Sequence, residues 1–148
     1  MIDFFDGEYA FLSNFYNASC IFEEKFYPTV EHAFQAAKSL DHAERDWIAA
    51  AGSPGLAKRL GRRINLRPDW EKVKFDVMEE CLRSKFADPV LKQKLLATGD
   101  EELVEGNHWC DNIWGDCHCL KCRDRIGQNN LGKLLMKLRE EIKKEETT

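Results

Sequence analysis

Pro28-Thr-Val-Glu-His-Ala-Phe-Gln-Ala-Ala-Lys38 decides how this chain is built. Pro28 ends any strand before it, because proline has no N–H for a ladder. Thr29 is a good N-cap, and the Ala and Gln content of Val30 to Leu40 favours a helix. On that helix Glu31, Gln35 and Lys38 stand four and three residues apart. At ~100° per residue, Glu31 and Lys38 differ by about 20° around the axis and share a face. A carboxylate, an amide and an amine in a row have two readings. One is a solvated polar stripe with weak ion pairs. The other is an acid/base wall of a pocket, where carboxylate and amine adjust each other's pKa. Spacing alone leaves both open.

On the N-terminal side, Cys20 to Tyr27 reads as a hairpin arm, with Ile21, Phe22, Phe26 and Tyr27 flanking Glu23, Glu24 and Lys25. Before it, Phe11-Leu-Ser-Asn-Phe-Tyr16 sets small polar residues between aromatics. That suits a turn bonding a ligand's hydroxyls, although an aromatic core segment with a Ser-Asn turn fits the residues better.

Toward the C-terminus, Asp41 can cap a second short helix through Ala51. Ser53-Pro54 opens a third, with Gly61 just past its end. Lys58, Arg59 and Arg62 suit a diphosphate or a nucleic-acid backbone; a solvated basic turn at a helix C-terminus explains them equally well. Trp70, Val73, Val77, Met78, Cys81 and Leu82 recur at helical spacing, predicting an amphipathic helix from about Pro68 to Phe86. Asp88-Pro89 starts another, closed by Gly99. Glu102 to Glu105 reads as a short strand, and residues 106 to 128 as a loop-rich segment. Leu131, Leu134, Leu135, Leu138 and Ile142 mark a final helix, capped by Asn129 or Asn130 and ending in a solvated Lys-Lys-Glu-Glu tail. The predicted fold is α+β and helix-dominated: a single compact domain with a few short strands.

Within the loop-rich segment, Gly106 to Asp116 holds two tryptophans, two aspartates and two asparagines. Each indole can pack into the core with its N–H satisfied, or offer a flat surface on which a base or ribose stacks.

The 148 residues are 43% hydrophobic and 32% charged, ordinary for a globular protein. A net charge of -4 gives no general pull toward nucleic acid, so any such contact must be local. Asp3, Asp6 and Glu8 interrupt the first apolar run, and no stretch approaches the ~20 apolar residues that span a bilayer. The expectation is a cytoplasmic or nuclear protein without membrane contact, monomeric. Cys20 and Cys81 stand alone, while Cys110, Cys117, Cys119 and Cys122 crowd into 13 residues. A reducing compartment disfavours a disulfide framework. Structural zinc usually takes two ligand pairs across a longer spacer. Three cysteines in six residues with an irregular fourth fit reduced loop thiols better, so no metal and no cofactor is expected.

Five segments, in order, carry a family resemblance: Phe11-Leu-Ser-Asn-Phe-Tyr16, Pro28 to Lys38, Ala57-Lys-Arg-Leu-Gly61, Asp111-Asn-Ile-Trp-Gly115 and Gly127-Gln-Asn-Asn-Leu-Gly-Lys-Leu-Leu-Met136. From about Phe11 to Arg139 the chain resembles the NADAR (YbiA-like) family. One departure is visible: Cys117-His-Cys-Leu-Lys-Cys122 and a longer connection stand where a Gly-rich, cysteine-poor turn is expected.

The resemblance implies an N-glycosidase, a hydrolase acting on N-glycosyl compounds. It implies two substrate classes, riboflavin-pathway ribosylaminopyrimidines and ADP-ribosylated guanine in nucleic acid. Both are glycosylamines, whose ribose can open to expose C1 as an imine. The family's functional Glu and Trp fall on Glu31 and Trp114. Lys38 and Asp111 complete the expected catalytic set. Ser13, Asn14, Phe15, Gln35, Lys58, Arg59, Asn112, Gly115, Asp116 and Asn130 are the expected substrate contacts. Two other classes compete. A non-catalytic ADP-ribose-binding module needs neither Glu31 nor Lys38, and a zinc-stabilised interaction domain leaves their shared face without a purpose.

Overall fold

The computed structural model describes residues 1–147. Among them the structure is helix-rich with a few two- or three-residue strands. The chain separates into two compact units, one formed by residues 14–88 and the other by residues 1–13 with 89–148. No helix among the described residues is long and apolar enough to cross a membrane.

In the unit of residues 14–88, β1 (Cys20–Phe22) pairs antiparallel with β2 (Lys25–Tyr27), Cys20 facing Tyr27. The turn between them is made by Glu23 (φ 47°) and Glu24 (φ 67°), the left-handed pair that a two-residue hairpin needs. Next comes α1 (Val30–Ala37), whose Thr29 cap accepts the His32 amide at 3.0 Å. The helix stops short of the predicted Leu40. Ser39 takes over: its hydroxyl accepts from the Asp41 amide and donates to Glu44 at 2.6 Å, and its carbonyl accepts from Arg45 Nε. That turn delivers the chain to α2 (His42–Ala49), capped by Asp41 as expected. α3 (Pro54–Leu60) follows behind the Ser53 cap, and α4 (Trp70–Lys85) completes the unit.

All eight residues of α1 are buried, and α2, α3, α4 and the hairpin pack around it. Ala33, Ala36 and Ala37 let those neighbours approach closely, while Phe34 meets Trp70 with ring centroids 5.0 Å apart. A helix buried all round must satisfy its polar groups internally. His32 does so by bridging the Thr29 hydroxyl at 2.7 Å and the Ala51 carbonyl at 3.0 Å.

In the other unit, the chain opens with a 3-10 turn at Gly7–Leu12. The helices here are α5 (Pro89–Ala97) and α6 (Asn130–Glu146), which pack together. Arg139 on α6 is 3% exposed and donates to Thr98 Oγ1 and to the Glu101 carbonyl, both at 2.8 Å. Lys143 reaches the Gly99 carbonyl, so cations of α6 bond the 98–101 turn that follows α5.

The predicted strand at 102–105 is not formed. Leu103 makes only an isolated bridge to Ile2, because Asn129 takes the Leu103 carbonyl and the Glu105 amide with its side chain. The strands lie later: β3 (Gly106–Asn107) pairs parallel with β4 (Asp116–Cys117). One further expectation is corrected. Asn129 precedes α6 in a left-handed conformation (φ 50°) and caps nothing with its amide, since that amide is committed to residues 103 and 105. The Lys-Lys-Glu-Glu tail belongs to α6 as far as Glu146, and its last three residues are exposed.

Candidate active site

Glu31 is the second residue of α1, and its amide donates to the Asn14 carbonyl at 3.1 Å. Its carboxylate, 7% exposed, accepts from Gln35 Nε2 at 2.8 Å. Gln35 is 4% exposed, so the solvated-stripe reading of this face does not hold. Negative charge near a helix N-terminus is favoured by the macrodipole. Gln35 in turn lies flat on Gly61, where any Cβ would overlap its amide oxygen. Ala57-Lys-Arg-Leu-Gly61 thus supports Gln35 through the absence of a side chain.

Lys38 caps the same helix, half-buried, 6.0 Å from the Phe34 ring centre. Burial lowers its pKa from the ordinary lysine value. Glu31 pulls the other way, and Arg62 and Lys58 add to the lowering. The basic cluster foreseen at the end of α3 therefore acts on this amine through two of its cations. Arg59 is exposed and is not among those influences.

Asn14 is half-buried beside the same helix; its amide nitrogen contacts Met78 Sδ at 3.5 Å. The amide oxygens of Asn14 and Gln35 are both buried without a hydrogen-bond partner. Each such acceptor costs roughly 1–3 kcal/mol unless a donor reaches it. Phe15, next in sequence, is 45% exposed. Ser13 ends the 3-10 turn with its amide on the Ala10 carbonyl, in the other unit.

The unit of residues 1–13 and 89–148 holds the remaining expected residues, and most of their polar groups serve the loop itself. Asp111 Oδ1 accepts from the Ile113 and Trp114 amides at 3.1 and 2.9 Å, a side chain mimicking a backbone turn. Asn112 accepts from the Cys117 amide, and Asp116 from the Gly127 amide, both at 2.9 Å. Asn130 donates to the Ile113 carbonyl at 2.8 Å. The carbonyls of residues 112 to 115 receive the amides of Gln128, Asn130, Leu131 and Asn129 in turn. The motifs Asp111–Gly115 and Gly127–Met136 are thus one knot, in which loop carbonyls satisfy the first orphan amides of α6. Gly115 is buried inside it. Trp114 is half-buried, neither enclosed in the core nor free.

Two features escaped the sequence reading, and the convergence of a third, weighed there and set aside, was not foreseen. Lys85 is 1% exposed, 5.6 Å from the Tyr16 ring centre and 5.2 Å from that of Phe86. Burial drives its pKa down to about 7, opposed by Cys20. The signal was present: Lys85 falls four residues after Cys81 on the apolar stripe of α4. A cleft of about 490 Å³ is lined by Phe4, Phe5, Asn107, His108 and Trp109, so it is Trp109 and not Trp114 that borders it. Lastly, the sulfurs of Cys110, Cys117, Cys119 and Cys122 converge within 4.8 Å of one another.

A family model described as the NADAR domain matches residues 4–143. N-glycosidase YbiA of Escherichia coli (strain K12) is 42% identical over 138 residues, spanning 91% of this chain and 82% of that protein. N-glycosidase Npun_R5314 of Nostoc punctiforme is 41% identical over 141 residues, spanning 91% and 86%. Riboflavin biosynthesis protein VVA0006 of Vibrio vulnificus is 37% identical over 140 residues, which are 93% of this chain and 36% of that one. The NMR structure of the E. coli protein YbiA matches with a TM-score of 0.82 at 39% identity, covering 99% of this chain and 89% of that one.

Proposed function

The chain belongs to the NADAR domain family and is a hydrolase of N-glycosyl compounds, and we propose that its substrate is a glycosylamine, with ribose C1 bonded to an exocyclic amine of a base. The observation that carries this reading is the buried face of α1, which holds Glu31, Gln35 and a lysine of lowered pKa. A buried carboxylate within electrostatic reach of such an amine is an arrangement for moving protons, which a merely ADP-ribose-binding module does not need.

The reaction follows from the chemistry of the bond. Protonation at the ring oxygen opens the ribose and leaves C1 as an iminium bonded to the base. The neutral Lys38 amine adds to C1, a proton passes to the base nitrogen by way of Glu31, and the base leaves as its free amine. Water then adds to the Lys38 imine and releases the sugar aldehyde, restoring the lysine. The net change is one water consumed and one C–N bond cleaved. Glu31 with water on an oxocarbenium-like carbon reaches the same products without Lys38.

Asn14 and Gln35 are the proposed acceptors for sugar hydroxyls or the base amine, which relieves their unpaired oxygens. Lys58 is the proposed contact for a phosphate. For Ser13, Phe15, Arg59, Asp111, Asn112, Trp114, Gly115 and Asn130 the support is the motif match; Asp116 directly follows the Asp111–Gly115 motif and accepts from the Gly127 amide that opens the last one. Stacking by Trp114 fits its partial exposure. Incubation with an oligonucleotide bearing ADP-ribosylated guanine, beside a ribosylaminopyrimidine, with release of each base followed, tests the proposal. Turnover of one of them and not of an ordinary N9-linked purine nucleoside is expected; cleavage of neither glycosylamine rejects it.

A further inference from the structure

Four sulfurs converge in the loop that carries Trp114. Cys110, Cys117, Cys119 and Cys122 place their Sγ atoms within 4.8 Å of one another, and Cys110 and Cys119 approach to 3.5 Å. A disulfide is about 2.05 Å long, and none of these cysteines is in one. Ligands of a tetrahedral zinc ion at a Zn–S distance of ~2.3 Å stand about 3.8 Å apart, inside that limit. A cluster of two or four irons spreads its thiolates over several metal atoms and needs a wider frame.

The hydrogen bonds point the same way. Amides of Cys110 and Cys119 donate to Cys117 Sγ at 3.2 and 3.4 Å, and Asn112 Nδ2 donates to Cys122 Sγ at 3.3 Å. Elsewhere in the chain the relation is reversed, with the Cys20 thiol donating to the Cys81 carbonyl at 3.6 Å. A neutral thiol is a weak acceptor, whereas N–H donors turned onto sulfur are the surroundings a metal-bound thiolate takes. Cys110 also adopts a left-handed backbone (φ 66°), which turns its side chain back to the other three.

We propose that Cys110, Cys117, Cys119 and Cys122 bind one zinc ion as a structural site. Four thiols lose four protons to solvent on binding, and no electron is transferred. The spacing looked irregular because Cys110 comes from the far side of the Asp111–Gly115 turn. The ion therefore closes a ring around that turn and pins it from both ends. Asn112 ties the turn directly to the site, its amide nitrogen on Cys122 and its oxygen on the Cys117 amide.

Metal content is read without substrate, so the outcome is independent of the glycosidase reading. Full-length protein expressed with added zinc and purified under reducing conditions without chelator is analysed for metals by mass spectrometry. Close to one zinc per chain is expected, falling to background in Cys110→Ser/Cys119→Ser. The wild-type protein reconstituted with cobalt should show the sulfur-to-metal charge-transfer and visible bands of a tetrahedral thiolate site, whether or not the variant folds. Less than about a tenth of an equivalent of zinc without the cobalt bands overturns the proposal. So do bound iron in place of zinc, full zinc retained by the folded double variant, or fewer than six titratable thiols in the denatured chain.

Discussion

Glu31 is buried two turns ahead of a half-buried lysine, and each residue makes a separable claim. Glu31→Gln keeps the shape and removes the proton-carrying group, so kcat should fall ~10²–10⁴-fold with the thermal transition unchanged. Near wild-type kcat would discard Glu31 as the acid/base. Lys38→Arg keeps the charge but offers no usable nucleophile. Because Lys38 has a lowered pKa, its neutral fraction grows with pH from below the ordinary lysine range. Turnover should therefore rise with pH through that lowered pKa and collapse in Lys38→Arg, and borohydride should trap a ribosyl adduct on Lys38 alone. Full activity of Lys38→Arg without any adduct would leave Glu31 and water to do the hydrolysis. Lys85 concerns stability instead. Its folded pKa, about 7, lies below the unfolded 10.5, so between those values the unfolded chain binds the extra proton. Stability should then rise with pH across that window, by at most roughly 1.4 kcal/mol per unit from this group. Urea titrations at pH 7 and 9 should show the wild type gaining on Lys85→Met, and parallel curves would refute the assignment.

Elements here are set by caps and by close approaches, and these differ in how visible they are in a sequence. At Gly132 an added Cβ would overlap the Leu103 carbonyl oxygen, so Gly132→Ala must move backbone. It should cost ~1–3 kcal/mol in urea unfolding even though alanine is the better helix former; a neutral or stabilising result would mean that α6 can shift there freely. The caps at Thr29, Asp41 and Ser53, the helices they start and the Cys20–Tyr27 hairpin were legible because each rests on residues adjacent in sequence. So was the shared face of Glu31 and Lys38, which helical geometry alone dictates. What was not legible depends on partners far away in sequence. The strand expected at 102–105 is lost to Asn129, some 25 residues on, and α1 ends early at a turn that Glu44 and Arg45 complete. Burial of Glu31 and Gln35 needed α2, α3 and α4 in place, and the four sulfurs needed the 111–115 turn to fold back. Spacing left the solvated stripe open and favoured loose thiols because it contains neither piece of information.

At the scale of the whole molecule, residues 14–88 form a continuous insertion between the two parts of the other unit, and each unit holds close to half of the 148 residues. A core of that size rarely supplies more than ~3–5 kcal/mol. Neither unit is thus well placed to be stable alone, and the NADAR match at residues 4–143 runs through both. We propose that the chain unfolds as one cooperative domain. The heat-capacity change separates the alternatives. At ~12–15 cal/mol/K per residue, the whole chain should give roughly 2 kcal/mol/K, and a unit melting by itself about half of that. Calorimetry of the full-length protein should show one transition whose van't Hoff and calorimetric enthalpies agree. If zinc pins the 110–122 loop, a chelator should move this single transition to lower temperature without splitting it, since a ligand of the folded state stabilises whatever unfolds with it. Two resolved transitions, or a chelator shift confined to half of the heat absorbed, would show that the units fold separately.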